Sequence, residues 1–428
     1  MSDPILSQDG KWMWTGAEWI PAPPSSSQSA NVSLQDSVIS GDVTITQNNA
    51  EDIVVAMVTA LERLGFSGQS SPAELTPSQE AEVEQVLKIS EQLTSQGIEI
   101  DPWTEIALGN AASLAGRTHT AQQNYLRALN TFRRNGGRDG EVTSLNNLGE
   151  IARCRGDLAE AERFARESLA IAREIGNQHG EAMSLNNLGI IAQIRGDLAE
   201  AERLHRESLV VKKEIGDQHG EANSLDNLGR IAETRGDLAE AERLYRESLA
   251  TRREIGDRKG EAHSLNNLGS IAETRGELFE AERLQRESLA TRREIGDRLG
   301  EGQSLNCLGR IARARGDLFE AERLQRESLA IMREIGYRQD EAASLINLGL
   351  IARTRGDLAE AKRLFGESLA IKREVGDRQG EAASLVNLGN ISGDNGDMDE
   401  RHKCYTEAVR IQREIGVQLD QWFIDNGY

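Results

Sequence analysis

Apolar residues return to the same places every 40 residues over most of this chain. In Glu181–Gly220 (EAMSLNNLGIIAQIRGDLAEAERLHRESLVVKKEIGDQHG), Leu185, Leu188 and Ile191-Ala192 share one face at helical spacing. Leu198, Ala201, Leu204 and Leu209 form a second stripe beyond Gly196. Full copies begin at Glu141, Glu181, Glu221, Glu261, Glu301, Glu341 and Glu381. A degenerate copy begins at Asp101, marked by Leu108-Gly109, Gly116, Ala121 and Leu129. A period this regular predicts a solenoid, in which each unit buries its apolar face only against its neighbours.

Local signals divide each copy into two helices. Asn177, an Asp in most copies, is an N-cap, so the first helix (A) runs from about Gln178 to Ile194. Arg195 closes its last turn, where a cation suits the helix dipole, and Gly196 supplies the left-handed residue after it. Asp197 caps the second helix (B), and Glu200 completes a capping box. Helix B runs to about Glu214, and Gly216 stops it. Connections this short make the pair antiparallel. Gly189 and Ala201 are small where backbones should approach. Pairs such as Glu202–Arg206 and Arg203–Glu207 decorate a solvated face. Phe164, His205, Tyr245 and Gln285 vary between copies and read as outer-face residues.

The hundred residues before the repeats follow other patterns. Residues 1–24 hold Trp12, Trp14 and Trp19, alternating as in a small hairpin with a turn at Thr15-Gly16. The stretch resembles a short Trp-Gly motif found at the ends of many prokaryotic proteins. PAPPSSSQSA is a linker by composition. Val32, Leu34, Val38, Ile39, Val43 and Ile45 then alternate with polar residues as short strands do. Two or three such strands are marginal alone, which leaves homo-oligomerisation through the N-terminal region open. Glu51–Leu64 and Ser78–Gln96 are amphipathic helices on either side of a second linker, and their stripes should dock on the rest of the chain. The expected organisation is a Trp-rich hairpin motif at 1–24, linker and strands at 25–49, and a helical region at 50–100. The solenoid takes 101–420 and a C-terminal cap 421–428, where Trp422, Phe423 and Ile424 cover the end of the stack.

Charge narrows the function. The formal net charge is −20, and residues 1–100 carry 14 acidic and 3 basic side chains. Without a clustered basic excess, nucleic acid is not an expected partner. Cys154, Cys307 and Cys404 lie far apart and fit a reducing compartment. No signal peptide is read, and the longest strongly apolar run, Ile53–Val58, is too short for membrane insertion. A cytoplasmic protein is expected.

Leu188, Gly189, Ala192, Gly196 and Ala201 match the tetratricopeptide repeat (TPR) pattern. The 40-residue length is similar to the Leu-Gly-Asn repeat spindle-orientation adaptors and the kinesin light chain repeats, and Asn387-Leu388-Gly389-Asn390 reproduces that tetrapeptide. The resemblance covers residues 101–420. It implies an all-α, right-handed superhelical solenoid of about eight helical hairpins, preceded by a small mixed β/α region. It also implies a concave groove lined by helix A, in which an Asn before the Leu-Gly pair clamps the backbone of an extended peptide. An amide carries both a donor and an acceptor, so it can pair with any peptide group.

Here those positions are Asn147, Asn187, Asn227, Asn267, Asn347 and Asn387, interrupted by Cys307. Flanking positions such as Met183, Asn223, His263, Gln303 and Arg230 differ between copies, as side-chain-reading positions would. Arg310, Arg313 and Arg353 gather towards the C-terminal repeats and predict an acidic ligand segment, while Glu233 and Glu273 face inward in the middle. No catalytic or metal-binding constellation emerges, and no cofactor is expected. The histidines are scattered, no phosphate-binding loop is present, and the carboxylate pairs repeat with the motif. A non-enzymatic interaction scaffold is the expected function, with a ligand-responsive regulator as the alternative.

Overall fold

The computed structural model describes residues 5–6, 12–14, 19–21, 50–67, 75–417 and 421–426. The Pro21–Ala30 linker beyond Pro21, the strands expected between Val32 and Ile45 and most of the second linker lie outside the described residues. The short strands Ile5–Leu6, Trp12–Trp14 and Trp19–Pro21 form an antiparallel sheet in chain order, with Trp14 opposite Trp19.

The helices before the repeats are Ala50–Arg63 and Pro77–Ser95. Thr76 and Gln79 cap the second reciprocally, with Pro77 in its first turn. The expected stripe residues Val83, Val86, Leu87, Ile89 and Leu93 are all buried, in one cluster with Ile106, Leu108 and Ala112 of the first repeat. The stripe therefore docks on its own chain.

From Pro102 onward A and B helices alternate. The A helices include Arg138–Cys154, Gln178–Ile194, Gln218–Thr234, Arg258–Thr274, Arg298–Ala314, Arg338–Thr354 and Arg378–Asp394. Their B partners run from Leu158–Ile175 to Met398–Glu414. The chain divides into two compact units, Met1–Val211 and Lys212–Tyr428. Within each, a helix contacts the one before it and the one after it.

The punctuation read from the sequence is present, with two amendments. The Asn177 carboxamide accepts from the Gly180 amide at 2.7 Å, and Gly196 adopts φ +81°. Asp197 accepts from the Glu200 amide at 3.1 Å, but Glu200 turns outward to Arg203 at 2.7 Å, so only half of the capping box forms. A nearby guanidinium offers the carboxylate a charge-assisted bond stronger than a neutral amide can. Arg195 does more than close its helix: it reaches back to the Leu158 carbonyl at 3.2 Å and to the Glu162 carboxylate.

The pairing within a hairpin also differs from expectation. Counting each copy's Glu as position 1, His205, Tyr245 and Gln285 occupy position 25 and are fully buried rather than on the outer face. They fill the hole left by the absent Cβ of the glycine at position 9. A Cβ on Gly229 would stand 2.6 Å from the Tyr245 ring, and one on Gly189 2.7 Å from His205. Phe164, one position earlier in its copy, is buried too. Variation at position 25 is thus a change of plug behind a constant glycine.

Serines stitch the copies together. The hydroxyl at position 28 donates to the position 2 carbonyl of its own copy, as Ser208 does to Ala182 at 2.9 Å and Ser288 to Ala262 at 2.8 Å. It also meets the position 4 serine of the next copy, as in Ser168–Ser184 at 2.9 Å and Ser328–Ser344 at 3.0 Å. These bonds satisfy hydroxyls that would otherwise be buried without partners. Outside, position 33 cations tie successive copies: Arg253 bonds Glu261 at 2.7 Å and Glu287 at 2.5 Å. At the end, Phe423 is buried against Tyr405 and Val409, while Trp422 and Ile424 stay exposed. Half exposed though it is, the Trp422 ring packs edge-on against Tyr405, with centroids 5.5 Å apart.

Candidate functional site

Within each unit the A helices present position 7 partly to solvent, beside the more exposed position 3. Positions 2, 4, 5 and 9 are buried in every full copy, and position 8 in all but the last. The asparagines at position 7, Asn147, Asn187, Asn227, Asn267, Asn347 and Asn387, are half-buried in each, as is Cys307. The row is neither sealed between hairpins nor fully outside. Its members differ in what they bond. Asn147 donates to Asn110 Oδ1 at 3.3 Å and Asn347 to Asn306 Oδ1 at 3.1 Å, each reaching the preceding copy. The Cys307 thiol lies 3.8 Å from Asn266 Oδ1, and burial pushes its pKa up. Asn187 and Asn387 make no side-chain hydrogen bond among the described residues, and Asn267 Nδ2 is buried without a partner.

The arginines chosen from the sequence are distributed otherwise than as a free cationic cluster. Arg310 Nη2 bonds Glu273 Oε2 of the preceding copy at 2.7 Å, and Arg353 Nε bonds Asp394 Oδ2 of the following one at 2.7 Å. Arg230 donates to Asn227 Oδ1 at 2.7 Å. The Nε of Arg313 is buried without a partner. Glu233 accepts from the Tyr245 hydroxyl at 3.1 Å. The two carboxylates read as inward-facing are therefore engaged within the fold.

Sequence reasoning missed a second row, at position 32 near the end of helix B: Ala172, Lys212, Arg252, Arg292, Met332 and Lys372, all buried. Arg252 bonds Asp226 at 2.6 Å, Asn223 at 2.9 Å and Asp257 at 3.0 Å. Lys372 bonds Asp377 at 2.8 Å. Lys212 donates to Ser224 Oγ at 2.9 Å, and burial pulls its pKa down to about 8. His263, on the neighbouring A helix, reaches solvent yet is pulled down, by the surrounding protein first and by Arg252, Arg292 and Arg230 beside it. The signal was a cation recurring at the last turn of helix B, which looks like one more solvated charge.

Clefts also lie between B helices. One of about 690 Å³ runs between the B helices Leu318–Glu334 and Leu358–Glu374, floored by Leu329, Leu348 and Leu364 and edged by Arg326, Arg355 and Glu367. Equivalent clefts recur between other B helices. Their walls are the conserved motif of the repeat itself and its own ion pairs, so they follow from stacking and mark no particular ligand. Among the described residues no group of His, Cys, Asp or Glu could hold a metal ion, and no helix is long and apolar enough to cross a membrane.

Stacked antiparallel hairpins with a solvent-reaching A-helix row define a helical-repeat protein. The tetratricopeptide repeat family matches residues 102–174, 180–254, 260–334, 300–374 and 340–414, and the chain belongs to that family. No curated protein matches the chain. Solved structures share the fold at low identity. The apo form of the quorum sensor NprR from B. thuringiensis is 14% identical with a TM-score of 0.57, over 86% of this chain and 99% of that one. A Signal Transduction ATPase with Numerous Domains from Pyrococcus horikoshii, with a tetratricopeptide repeat sensor, is 14% identical with a TM-score of 0.60. The match covers 86% of this chain and only 54% of that one, so this chain spans about half its length. The Rap conjugation gene regulator of plasmid pLS20, solved with the Phr* peptide, is 13% identical with a TM-score of 0.52, over 87% and 97%.

Proposed function

We propose that this chain is a non-enzymatic protein-interaction scaffold, which holds an extended segment of another protein along the A-helix row. The observation that carries the reading is the half-buried amide at position 7. Asn187 and Asn387 keep their full bonding capacity, and Asn347 spends one N–H on its neighbour while its carbonyl oxygen stays open. Such amides can pair with peptide groups whatever the ligand's sequence. The chain's arginines alternate with glutamates, a surface unsuited to phosphate backbones. A structure of the same fold is described as bound to a peptide, which supports the reading.

A second reading, a ligand-responsive regulator in which the repeats control the acidic N-terminal region, is favoured by the sensors among the structures of this fold. Selection of random twelve-residue peptides on the full chain tests the first reading. Peptides should be recovered, and Asn187→Ala should weaken those held by the N-terminal unit and Asn387→Ala those held by the C-terminal unit, each by roughly 0.5–1.5 kcal/mol. Small-angle scattering with and without a recovered peptide separates the two: a scaffold keeps its profile, and a regulator changes it.

A further inference from the structure

Position 19, in the first turn of helix B, is the exposed alanine Ala159, Ala199, Ala239 or Ala359 in four of the full copies. In two consecutive copies it is phenylalanine. Phe279 is 77% exposed and Phe319 78%, more than any other large apolar side chain among the described residues. The hairpin forms equally well with alanine there, so burial within the fold accounts for neither ring.

The two rings belong to one face. The Arg315 guanidinium stands 4.6 Å from the centre of the Phe279 ring. Arg315 and Phe319 together line a cleft of about 340 Å³ between Leu278–Glu294 and Leu318–Glu334, which gains an aromatic wall that the cleft over Leu329 lacks. At the same position Arg195, Arg275 and Arg355 donate to the carbonyls of Leu158, Leu238 and Leu318. Arg315 keeps the carboxylate contact of its counterparts, to Glu282, and covers one side of the ring. Charges beside the rings are paired in place: Arg283 with Glu280 at 2.7 Å, Arg286 with Glu282 and Arg323 with Glu320 at 2.8 Å. Counting Arg315, Glu277 and Asp317 as well, four arginines stand against five carboxylates. The face is an aromatic centre inside a nearly neutral rim of alternating sign, the layout of a protein interface.

We infer that a second copy of this chain docks on this face, about a twofold axis that passes between Phe279 and Phe319. A strongly acidic or basic partner would find no excess charge here to pair with. The net charge of −20 sets two copies against each other wherever a face is acidic, and this one is not. Alternating signs are self-complementary under twofold rotation. The axis lays Phe279 of each copy beside Phe319 of the other, so four rings form the centre, where aromatic side chains pack favourably edge to face. The rings supply roughly 300 Å² of the about 800 Å² that each partner buries in a standard interface, and the rim supplies the remainder. The dimer is therefore weak, with a dissociation constant of roughly 1–100 μM. It uses helix B alone and leaves the A-helix row free, so it stands apart from peptide binding.

Sedimentation velocity on the full chain from about 1 to 300 μM tests the dimer, with Phe279→Ala/Phe319→Ala and Val210→Ala beside wild type. Val210 is another exposed apolar residue of helix B, and all three substitutions copy the alanine of other copies. The variants should therefore fold, and circular dichroism melting verifies it. Wild type should pass from monomer to dimer over the range, and Val210→Ala should do the same. The double variant should associate roughly 100-fold more weakly and stay monomeric. A wild type that is monomeric at the top of the range overturns the inference. So does a dimer that the double variant leaves intact, which would put the contact elsewhere, or one that Val210→Ala weakens as much.

Discussion

Arg252 Nη2 and Asp226 Oδ2 meet at 2.6 Å with each side chain only 8% exposed, joining helix B of one copy to its own helix A. A pair so buried contributes little net stability, yet breaking it leaves a charge with nowhere to go. Asp226→Asn should therefore destabilise the protein by about 2–4 kcal/mol in urea unfolding, Asp257 remaining as partial compensation. Arg252→Met added to it should restore most of the loss. A double variant no more stable than the single one would show that the pair matters for packing rather than charge.

The buried Lys212 makes stability depend on pH in a definite direction. Its pKa falls from 10.5 to about 8 in the fold, so the unfolded chain binds the extra proton between those values. Stability from this group should be poorest below pH 8 and should rise as pH climbs towards 10.5. Lys212→Met, copying Met332, should raise stability at pH 7 by about 1–3 kcal/mol and flatten that part of the profile. Melting temperatures from pH 7 to 10 on both proteins decide it.

Two glycines in the same place should respond oppositely to alanine. A Cβ on Gly229 meets the Tyr245 ring at 2.6 Å, and that ring is held by its bond to Glu233. Gly229→Ala should cost about 1–3 kcal/mol. Gly149 faces Ala165 instead of a ring, its nearest neighbour would be 3.5 Å away, and the helix gains from the added Cβ. Gly149→Ala should be neutral or stabilising by about 0.5–1 kcal/mol. Equal losses at both would refute the account of the plug behind the glycine.

The position 7 asparagines divide into structural and ligand-facing members. Asn347→Ala removes its bond to Asn306 and should lower stability by about 0.5–1.5 kcal/mol. Asn387 bonds nothing among the described residues, so Asn387→Ala should leave the melting temperature unchanged while weakening a selected peptide. Thermal unfolding beside fluorescence anisotropy separates the effects, and a stability loss at Asn387 with unaltered binding would place it in the fold alone.

How much was legible followed from range. Asn177, Asp197, Gly196 and the apolar stripes act within a few residues of themselves, and the sequence carries most of that information: helix ends, hairpin length and period, with Leu185, Leu188 and Leu204 buried but Leu198 and Leu209 only half-buried. The Trp103–Phe132 contact, with ring centroids 5.0 Å apart, and the burial of His205 and Tyr245 were not legible, because they depend on which face of helix B meets the glycine of helix A.

Charge was the least legible of all. Arg310, Arg353 and Arg292 are the same letter in an Arg-rich chain. Whether a guanidinium is spent on Glu273, spent on Asp394 or buried against the Gly300 carbonyl is set by residues 37 to 41 positions away, or by the stacking itself. By itself the sequence determined the repeat and its two helices, since periodicity and capping are local. Only the tertiary structure decided which cations have partners, because an ion pair between stacked copies exists only once the copies are stacked.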